Sequence, residues 1–251
     1  MDAITTSAGG ALAPAKTTMG EWRQFFAFLK RPALPPRAPM PRAATLLATL
    51  RMLLLDFAVM AALLSIAGIV MATGVDLPET ALAGMEITTA IIVAAVIGAP
   101  LLEEIAFRGW LSGRPGHVLA CVLLLICAFG LAQAGASESA AAIAGIGMLA
   151  AIVAAVVAII LLRKRDAMGW FQRVFPGFFW LSTLGFSLVH LFNFEPAQMA
   201  MALPLVLPQF VTGAILGYVR VHYGLWAAIL LHMLHNGLFI SLVVMASEAA
   251  A

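Results

Sequence analysis

Residues 85–112 read MEITTAIIVAAVIGAPLLEEIAFRGWLS, an apolar run that ends in two adjacent glutamates followed by an arginine. The run is long enough to cross a membrane, because a spanning helix needs about 20 apolar residues. The whole chain shares this character: of its 251 residues, 63% are hydrophobic and 10% are charged, whereas soluble domains carry about 25% charge. The composition therefore predicts an all-α, polytopic membrane helix bundle and excludes an ordinary soluble domain.

Seven apolar segments account for most of the chain after residue 44. We place them near 46–73, 85–112, 117–134, 140–162, 177–194, 199–219 and 224–246. In the sixth segment, Gly213 and Gly217 form a small-xxx-small pattern, which lets membrane helices approach each other closely. We therefore expect a transmembrane bundle of about seven helices over residues 45–251.

Residues 1–44 differ from the bundle because they combine alanine and proline with six basic residues. Trp22, Phe25 and Phe28 alternate with basic residues there, which is typical of a short interfacial helix on an anionic leaflet. The proline-rich stretch 32–41 reads as a linker. We interpret residues 1–44 as a basic, Pro/Ala-rich cytoplasmic arm with an interfacial helix, which either docks on membrane lipid or gathers a substrate.

The charges orient the predicted bundle. With the N-terminus inside and seven crossings, all 14 Lys and Arg fall at cytoplasmic ends, and the far side holds only acidic residues, namely Asp76, Glu79, Glu138, Glu195 and Glu248. This pattern obeys the positive-inside rule. The sequence therefore predicts a cytoplasmic N-terminus.

Few ionisable side chains remain inside the predicted segments, and such residues usually face a cavity or a functional site. They are Asp56, Glu103, Glu104, His190, His232 and His235, with the amides Asn193 and Asn236 beside them. From a helix rise of about 1.5 Å per residue, three helices bring polar groups to one level, in the cytoplasmic half or near the midplane. We expect these groups to form one site.

Two adjacent carboxylates begin the run Glu103-Glu104-Ile105-Ala106-Phe107-Arg108, and only one of them has a basic residue at helical spacing. Glu104 and Arg108 stand at i and i+4, which favours an ion pair, although Arg108 could also be a simple interfacial anchor. Glu103 points elsewhere, because successive helical residues differ by about 100°. Without an intrahelical partner, Glu103 suits a general base.

Two further patterns place histidines at helical spacing. Phe186 and His190 share a face, where the ring would orient the imidazole. His232 and Asn236 also share a face and could donate hydrogen bonds to an oxyanion. Packing through interhelical hydrogen bonds is the alternative for both patterns.

Two more ionisable residues stand beside these patterns. His235 points away from Asn236 and reads as a packing or supporting histidine. Asp56 lies near Arg51 and reads as a structural partner of a cytoplasmic basic residue, or else as a neighbour of the site.

These three motifs, EExxxR, FxxxH and HxxxN on separate membrane helices, resemble the CAAX protease and bacteriocin-processing (CPBP, or Abi) family of intramembrane glutamic endopeptidases. The matching residues are Glu103, Glu104 and Arg108, then Phe186 and His190, then His232 and Asn236. The resemblance covers about residues 85–246, which we take as the peptidase core.

The resemblance implies the role of each motif residue. Glu103 and His190 would activate a water molecule, and His232 and Asn236 would stabilise the oxyanion. The remaining motif residues would support the site, namely Glu104, Arg108 and Phe186. The reaction would be hydrolysis of a peptide bond in a membrane-associated protein or peptide near the cytoplasmic interface, with no covalent enzyme intermediate.

Metal dependence separates two versions of this mechanism. One Glu and two His could hold zinc with a water in the fourth position. The chain lacks the HExxH motif, and no base would remain if Glu103 were a ligand, since Glu104 is assigned to Arg108. We therefore favour a metal-free reaction with no cofactor.

Two other functions compete with the peptidase. Intramembrane Glu and His also mark proton-coupled transporters, but the chain shows neither repeated halves nor paired broken helices. A non-catalytic scaffold or immunity factor is the other alternative. The short loops and the Ala, Gly and Pro bias look bacterial, so we expect a multi-pass protein of the bacterial inner (plasma) membrane. The expected partners are membrane lipid and a peptide or protein substrate, with or without a lipid anchor, and no nucleic acid is expected.

Overall fold

The structure is a computed structural model that describes residues 13–35, 37–80, 87–134 and 138–250, with the side chains of 138 and 246–250 excepted. Residues 1–12 of the predicted arm, residues 85 and 86 of the second predicted segment, and the side chains of Glu138 and Glu248 lie outside the described residues. All regular secondary structure in the described part is helical, which confirms the all-α prediction.

Eight principal helices make up this part of the chain. Outside the membrane-spanning set, α1 covers Thr18–Lys30. The spanning helices are α2 (Ala43–Ala72), α3 (Thr89–Ser112), α4 (Pro115–Gln133), α5 (Glu138–Leu161), α6 (Gly169–Val189), α7 (Leu207–Tyr223) and α8 (Leu225–Ala250). Short 3₁₀ turns and one α-helical turn connect α6 to α7.

Seven helical stretches of the described residues are long and apolar enough to cross a membrane, as the sequence predicted. The fifth begins at Gly169 rather than at 177, because α6 continues through Pro176. Proline removes one backbone hydrogen bond, and membrane helices tolerate this loss where neighbouring groups compensate.

Helix α3 is not regular. It contains two π-helical turns, Ala94–Gly98 and Glu104–Arg108, which flank an α-helical turn at Ala99–Glu103. A π turn inserts an extra residue and so rotates the side chains that follow it, and such turns are frequent at functional sites. The two turns therefore set the directions in which Glu103 and Glu104 point.

The bundle has two chemically different ends. We call the end that carries Arg114, Arg163, Arg173 and Arg220 the basic end, and the end that carries Asp76, Glu79 and Glu195 the acidic end. Helix α1 packs at the basic end, where Phe25 and Phe28 are buried against Tyr218 of α7. The predicted arm helix therefore contacts the bundle directly through its aromatic face.

Candidate active site

A cavity of about 580 Å³ lies among α2, α3, α7, α8 and the end of α6. Its walls include all four residues predicted to be catalytic, Glu103, His190, His232 and Asn236. They come from two helices, α3 and α8, and from the 3₁₀ turn that follows α6. The structure thus brings together the polar groups that the sequence placed at one level.

Glu104 and Arg108 form a fully buried ion pair, with Arg108 Nη1 at 2.7 Å from Glu104 Oε1. The guanidinium carbon lies 3.8 Å from the centre of the Phe186 ring. A buried charge is stable only when it is paired and hydrogen-bonded. This pair therefore holds α3 against α6, and it is the ion pair that the i, i+4 spacing predicted.

His232 joins this ion pair to the cavity. Its Nδ1 atom lies 3.0 Å from Glu104 Oε1, and its Nε2 atom lies 3.8 Å from Glu103 Oε2. Since Nδ1 donates to Glu104, any hydrogen bond from His232 to a substrate must involve Nε2. The distance to Glu103 exceeds a hydrogen bond, so both groups keep capacity for a third partner.

The orientation of His190 is fixed by the backbone of α6, the helix that precedes it. Its Nδ1 atom lies 2.7 Å from the carbonyl oxygen of Phe186. Because a carbonyl only accepts, Nδ1 must carry the proton, and the neutral ring then presents Nε2 as an acceptor. The Phe186 ring packs against His190 and also against His232, with centroids 4.8 Å and 5.6 Å away.

Glu103 is the carboxylate of the adjacent pair that borders the cavity. Its side chain is 28% exposed, whereas that of Glu104 is completely buried. Within the described ranges, it forms no ion pair with a lysine or an arginine. A carboxylate that faces a cavity without a fixed cation can accept a proton, as a general base must.

Asn236 has a contact that the sequence did not reveal. Its Nδ2 atom donates to the carbonyl oxygen of Ala95 at 2.8 Å. In a π-helical turn, the carbonyl of each residue accepts from the N–H five residues later. For Ala95 that residue is Pro100, which has no N–H. Asn236 therefore satisfies an orphaned carbonyl in α3 with one N–H and keeps the second, because an amide has two.

A second polar pair borders the same cavity. His235 Nδ1 lies 2.5 Å from Asp56 Oδ2, and Thr212 donates to Asp56 Oδ1 at 2.7 Å. The sequence interpretation gave His235 a packing or supporting place, and it preferred a cytoplasmic basic residue as the partner of Asp56, with a place beside the site as the alternative. In the structure Asp56 is fully buried, and its partners are His235 and Thr212. No local pattern links residues 56 and 235, so only the packing of α2 against α8 reveals this pair.

The arrangement also bears on the zinc alternative. In the portion of the chain that the structure describes, no three His, Cys, Asp or Glu side chains are grouped so that they could hold a metal ion. His232 Nδ1 contacts Glu104, whereas Glu103 and Nε2 of His232 lie 3.8 Å apart and have no fixed partner among the described residues. The metal-free reaction therefore stays a prediction, and we derive no step through a metal.

The fold and the site together define a class of protein, a polytopic membrane protein whose helices enclose a cavity lined by ionisable side chains. Residues 85–238, more than half of the chain, match the family model described as type II CAAX prenyl endopeptidase Rce1-like. The chain belongs to this Rce1-like family of membrane proteases, which confirms the resemblance drawn from the sequence. No curated protein and no solved structure matches the chain.

Proposed function

We propose that this protein is an intramembrane endopeptidase of the glutamic type, which hydrolyses a peptide bond of a membrane-associated protein or peptide. The observation that carries the proposal is the shared cavity of Glu103, His190, His232 and Asn236. Each of these four residues keeps at least one polar atom that can contact a substrate or a water molecule. The charges of Glu104 and Arg108 compensate each other in the buried ion pair. Family membership supplies the reaction class, and the geometry supports these residue roles.

The proposed reaction begins with a water molecule between Glu103 and His190. The Glu103 carboxylate takes a proton from the water as its oxygen attacks the carbonyl carbon of the scissile bond. His190 accepts a second hydrogen bond from the water at Nε2 and so orients it. The product of this step is a tetrahedral intermediate that carries a negative oxygen.

The oxyanion then needs donors. Asn236 offers its remaining N–H, in a site where hydrogen bonds are worth more than in water. His232 offers an N–H at Nε2 only as an imidazolium, because its Nδ1–H is already held by Glu104, and we propose that the ring is in that form. When the intermediate collapses, the C–N bond breaks and the proton held by Glu103 passes to the leaving amine. A free carboxylate and an amine result, and no covalent enzyme intermediate forms.

The experiment compares wild type with Glu103→Gln and His190→Gln, purified in detergent, on fluorogenic peptides with and without a lipid anchor. Glu195→Gln and His117→Gln are matched controls, because both residues lie outside the cavity. We expect both cavity variants to lose at least a hundredfold in kcat/KM, since a general base contributes about 10²–10⁴-fold. Both controls should remain active.

A zinc chelator separates the two mechanisms in the same assay. Unchanged activity supports the metal-free reaction, whereas loss with recovery on added zinc means that the residues are right and the mechanism is wrong. A wild type as inactive as Glu103→Gln on every substrate class counts for the scaffold alternative. We place the protein in a bacterial plasma membrane, so the assay lipid should be anionic.

A further inference from the structure

A second cavity, of about 190 Å³, lies at the basic end, between the linker that follows α1 and the ends of α3 and α7. We call it the basic cavity. Its walls include Arg37 of the linker, Arg114 between α3 and α4, and Arg220 of α7, and none of its described wall residues is acidic. The basic cavity therefore combines space for a small group with a concentration of positive charge.

Arg220 is a buried cation whose hydrogen bonds go to neutral groups. The residue is 6% exposed, its Nε atom donates to the carbonyl oxygen of Arg108 at 2.9 Å, and its Nη2 atom donates to that of Gly109 at 3.2 Å. Among the residues that the structure describes, Arg220 has no ion-pair partner, and its Nη1 atom forms no hydrogen bond. A buried charge is normally paired, so Arg220 brings an uncompensated charge to the cavity wall.

Arg114 and Arg37 add to this charge. Arg114 donates through Nε to the carbonyl oxygen of Arg165 at 2.9 Å and through Nη2 to that of Arg163, and both acceptors are neutral. Burial and the nearby charge of Arg37 lower the pKa of Arg114 below its usual value. Arg37 does have a carboxylate partner, Asp166 at 3.1 Å, but both side chains are more than half exposed. Such a surface pair is weak, and it offers one negative charge to three guanidinium groups.

The linker wall of the basic cavity is held against the bundle. The side-chain amide of Gln172 on α6 donates to the carbonyl oxygen of Leu34 at 3.4 Å. Leu34 also packs against the hydrophobic core, and Pro35 is buried. Proline restricts the backbone of this segment further. The cavity is therefore formed before a ligand enters it, which lowers the entropic cost of binding.

We propose that the basic cavity is a phosphate-binding site, which takes the phosphate of an anionic lipid headgroup or a soluble phosphate. Guanidinium groups bind phosphate oxygens through paired N–H donors. A phosphate offers more acceptor oxygens than a carboxylate does, which suits a wall with three guanidinium groups. Basic pockets between membrane helices bind lipid headgroups, and this cavity lies at the end that the positive-inside rule predicts to be cytoplasmic.

Arg220 connects the basic cavity to the helix that carries the glutamates. Its two backbone acceptors, the carbonyls of Arg108 and Gly109, stand at the end of the π-helical turn Glu104–Arg108. A phosphate that compensates the charge of Arg220 would strengthen the hold of α7 on this end of α3. Because a ligand that binds only the folded chain raises its stability by mass action, binding can be measured as a rise in the melting temperature.

Thermal unfolding of the full chain in an uncharged detergent tests the proposal. The probes are inorganic phosphate, compared with sodium chloride at equal ionic strength, and short-chain phosphatidylglycerol, compared with phosphatidylcholine of the same chain length. Ala38→Glu places a carboxylate in the cavity wall, and Ala33→Glu adds the same charge at an exposed linker position outside it. Arg114→Gln removes one guanidinium group from the wall, and its control is Arg173→Gln, an exposed position at the basic end outside the cavity.

We expect at least one probe to raise the melting temperature of wild type, Ala33→Glu and Arg173→Gln. Ala38→Glu and Arg114→Gln should raise the dissociation constant of that probe about tenfold or more, because a charge-assisted hydrogen bond is lost. A response to inorganic phosphate assigns the site to soluble phosphate groups, and a response to phosphatidylglycerol alone assigns it to lipid headgroups.

Two results would overturn the proposal. Neither probe raises the melting temperature of wild type above its salt or lipid control, or a cavity variant responds as strongly as its matched control. If Arg114→Gln does not fold, the comparison of Ala38→Glu with Ala33→Glu decides the question. None of these readouts needs catalysis, so an inactive enzyme would count against the proposed function alone.

Discussion

His235 Nδ1 lies 2.5 Å from Asp56 Oδ2, so the first and last membrane helices share a buried hydrogen bond beside the candidate active-site cavity. A pair of zero net charge is favoured where water is excluded. Such a pair is either an ionised Asp56 with an imidazolium or a protonated Asp56 that donates to Nδ1. In either of these two forms Nε2 would carry a proton, so we expect His235 to present a donor, whereas His190 presents an acceptor.

The first prediction concerns this donor. His235→Phe should lower kcat/KM about tenfold or more, because one hydrogen bond in such a site is worth about 1–3 kcal/mol. His235→Gln keeps an N–H and should stay within about threefold of wild type, by the same estimate for a retained hydrogen bond. Steady-state kinetics on any peptide that wild type cleaves provides the measurement.

Asp56 acts in this scheme as a positioning residue, which gives a control. Asp56→Ala should lower kcat/KM in the wild-type background and have little further effect when combined with His235→Gln. Equal losses in both backgrounds would mean that Asp56 only stabilises the fold. Wild-type kinetics for His235→Phe would remove His235 from the site altogether.

The second prediction compares two ion pairs of different burial. Arg108→Met removes the cationic partner of the buried Glu104 carboxylate, which keeps only its contact with His232, and should lower the free energy of unfolding by roughly 3–5 kcal/mol. Arg37→Met breaks a pair with Asp166 in which both side chains are more than half exposed, and should cost at most about 1 kcal/mol. Denaturant unfolding in detergent measures both.

A combined variant separates charge from packing. Arg108→Met with Glu104→Gln removes both buried charges and should recover part of the lost stability, because an apolar replacement of a whole buried pair is often tolerated. Stability that falls further in the double variant would show that the pair holds α3 by hydrogen bonds rather than by charge compensation.

The third prediction concerns how closely α6 and α7 approach. A Cβ atom at Gly213 would lie 3.0 Å from the Phe186 ring and 3.3 Å from Arg108 Nη2. Gly213→Ala should therefore displace the ring that packs on His190 and His232. We expect a larger relative change in kcat than in the melting temperature. At Gly185 the nearest atom to a Cβ is 3.6 Å away, so Gly185→Ala should leave kcat unchanged.

Part of the fold and of the candidate site could be predicted from the sequence. Gly213 and Gly217 were recognised as a close-contact pattern, and hydropathy alone predicted seven spans and the three helices that carry the motifs. The start of α6 was placed too late, because the sequence of a proline-containing segment does not show whether the helix continues through Pro176. The ion pair between Glu104 and Arg108 could be predicted because the two residues lie one helical turn apart on the same helix.

Two features depend on tertiary packing and so could not be predicted. The Asp56–His235 pair joins helices at opposite ends of the chain, and each residue has local alternatives that look equally good. The second feature is the concentration of the buried aromatic residues of α1, α6 and α7 at the basic end. Depth estimates place a residue at a level in the membrane but do not indicate which half of the bundle is packed.

The last prediction separates the two jobs assigned to Asn236. Asn236→Ala should lower the free energy of unfolding by about 1–3 kcal/mol, because the Ala95 carbonyl loses its donor inside the bundle. Pro100→Ala supplies a backbone N–H in the same turn of α3 and should reduce this loss when the two changes are combined. Activity should not return in the combined variant, because an oxyanion donor is still missing. Unfolding in detergent and kcat measured on the same samples distinguish these effects: recovery of both stability and kcat would make Asn236 a purely structural residue, and recovery of stability alone would support its place in the reaction.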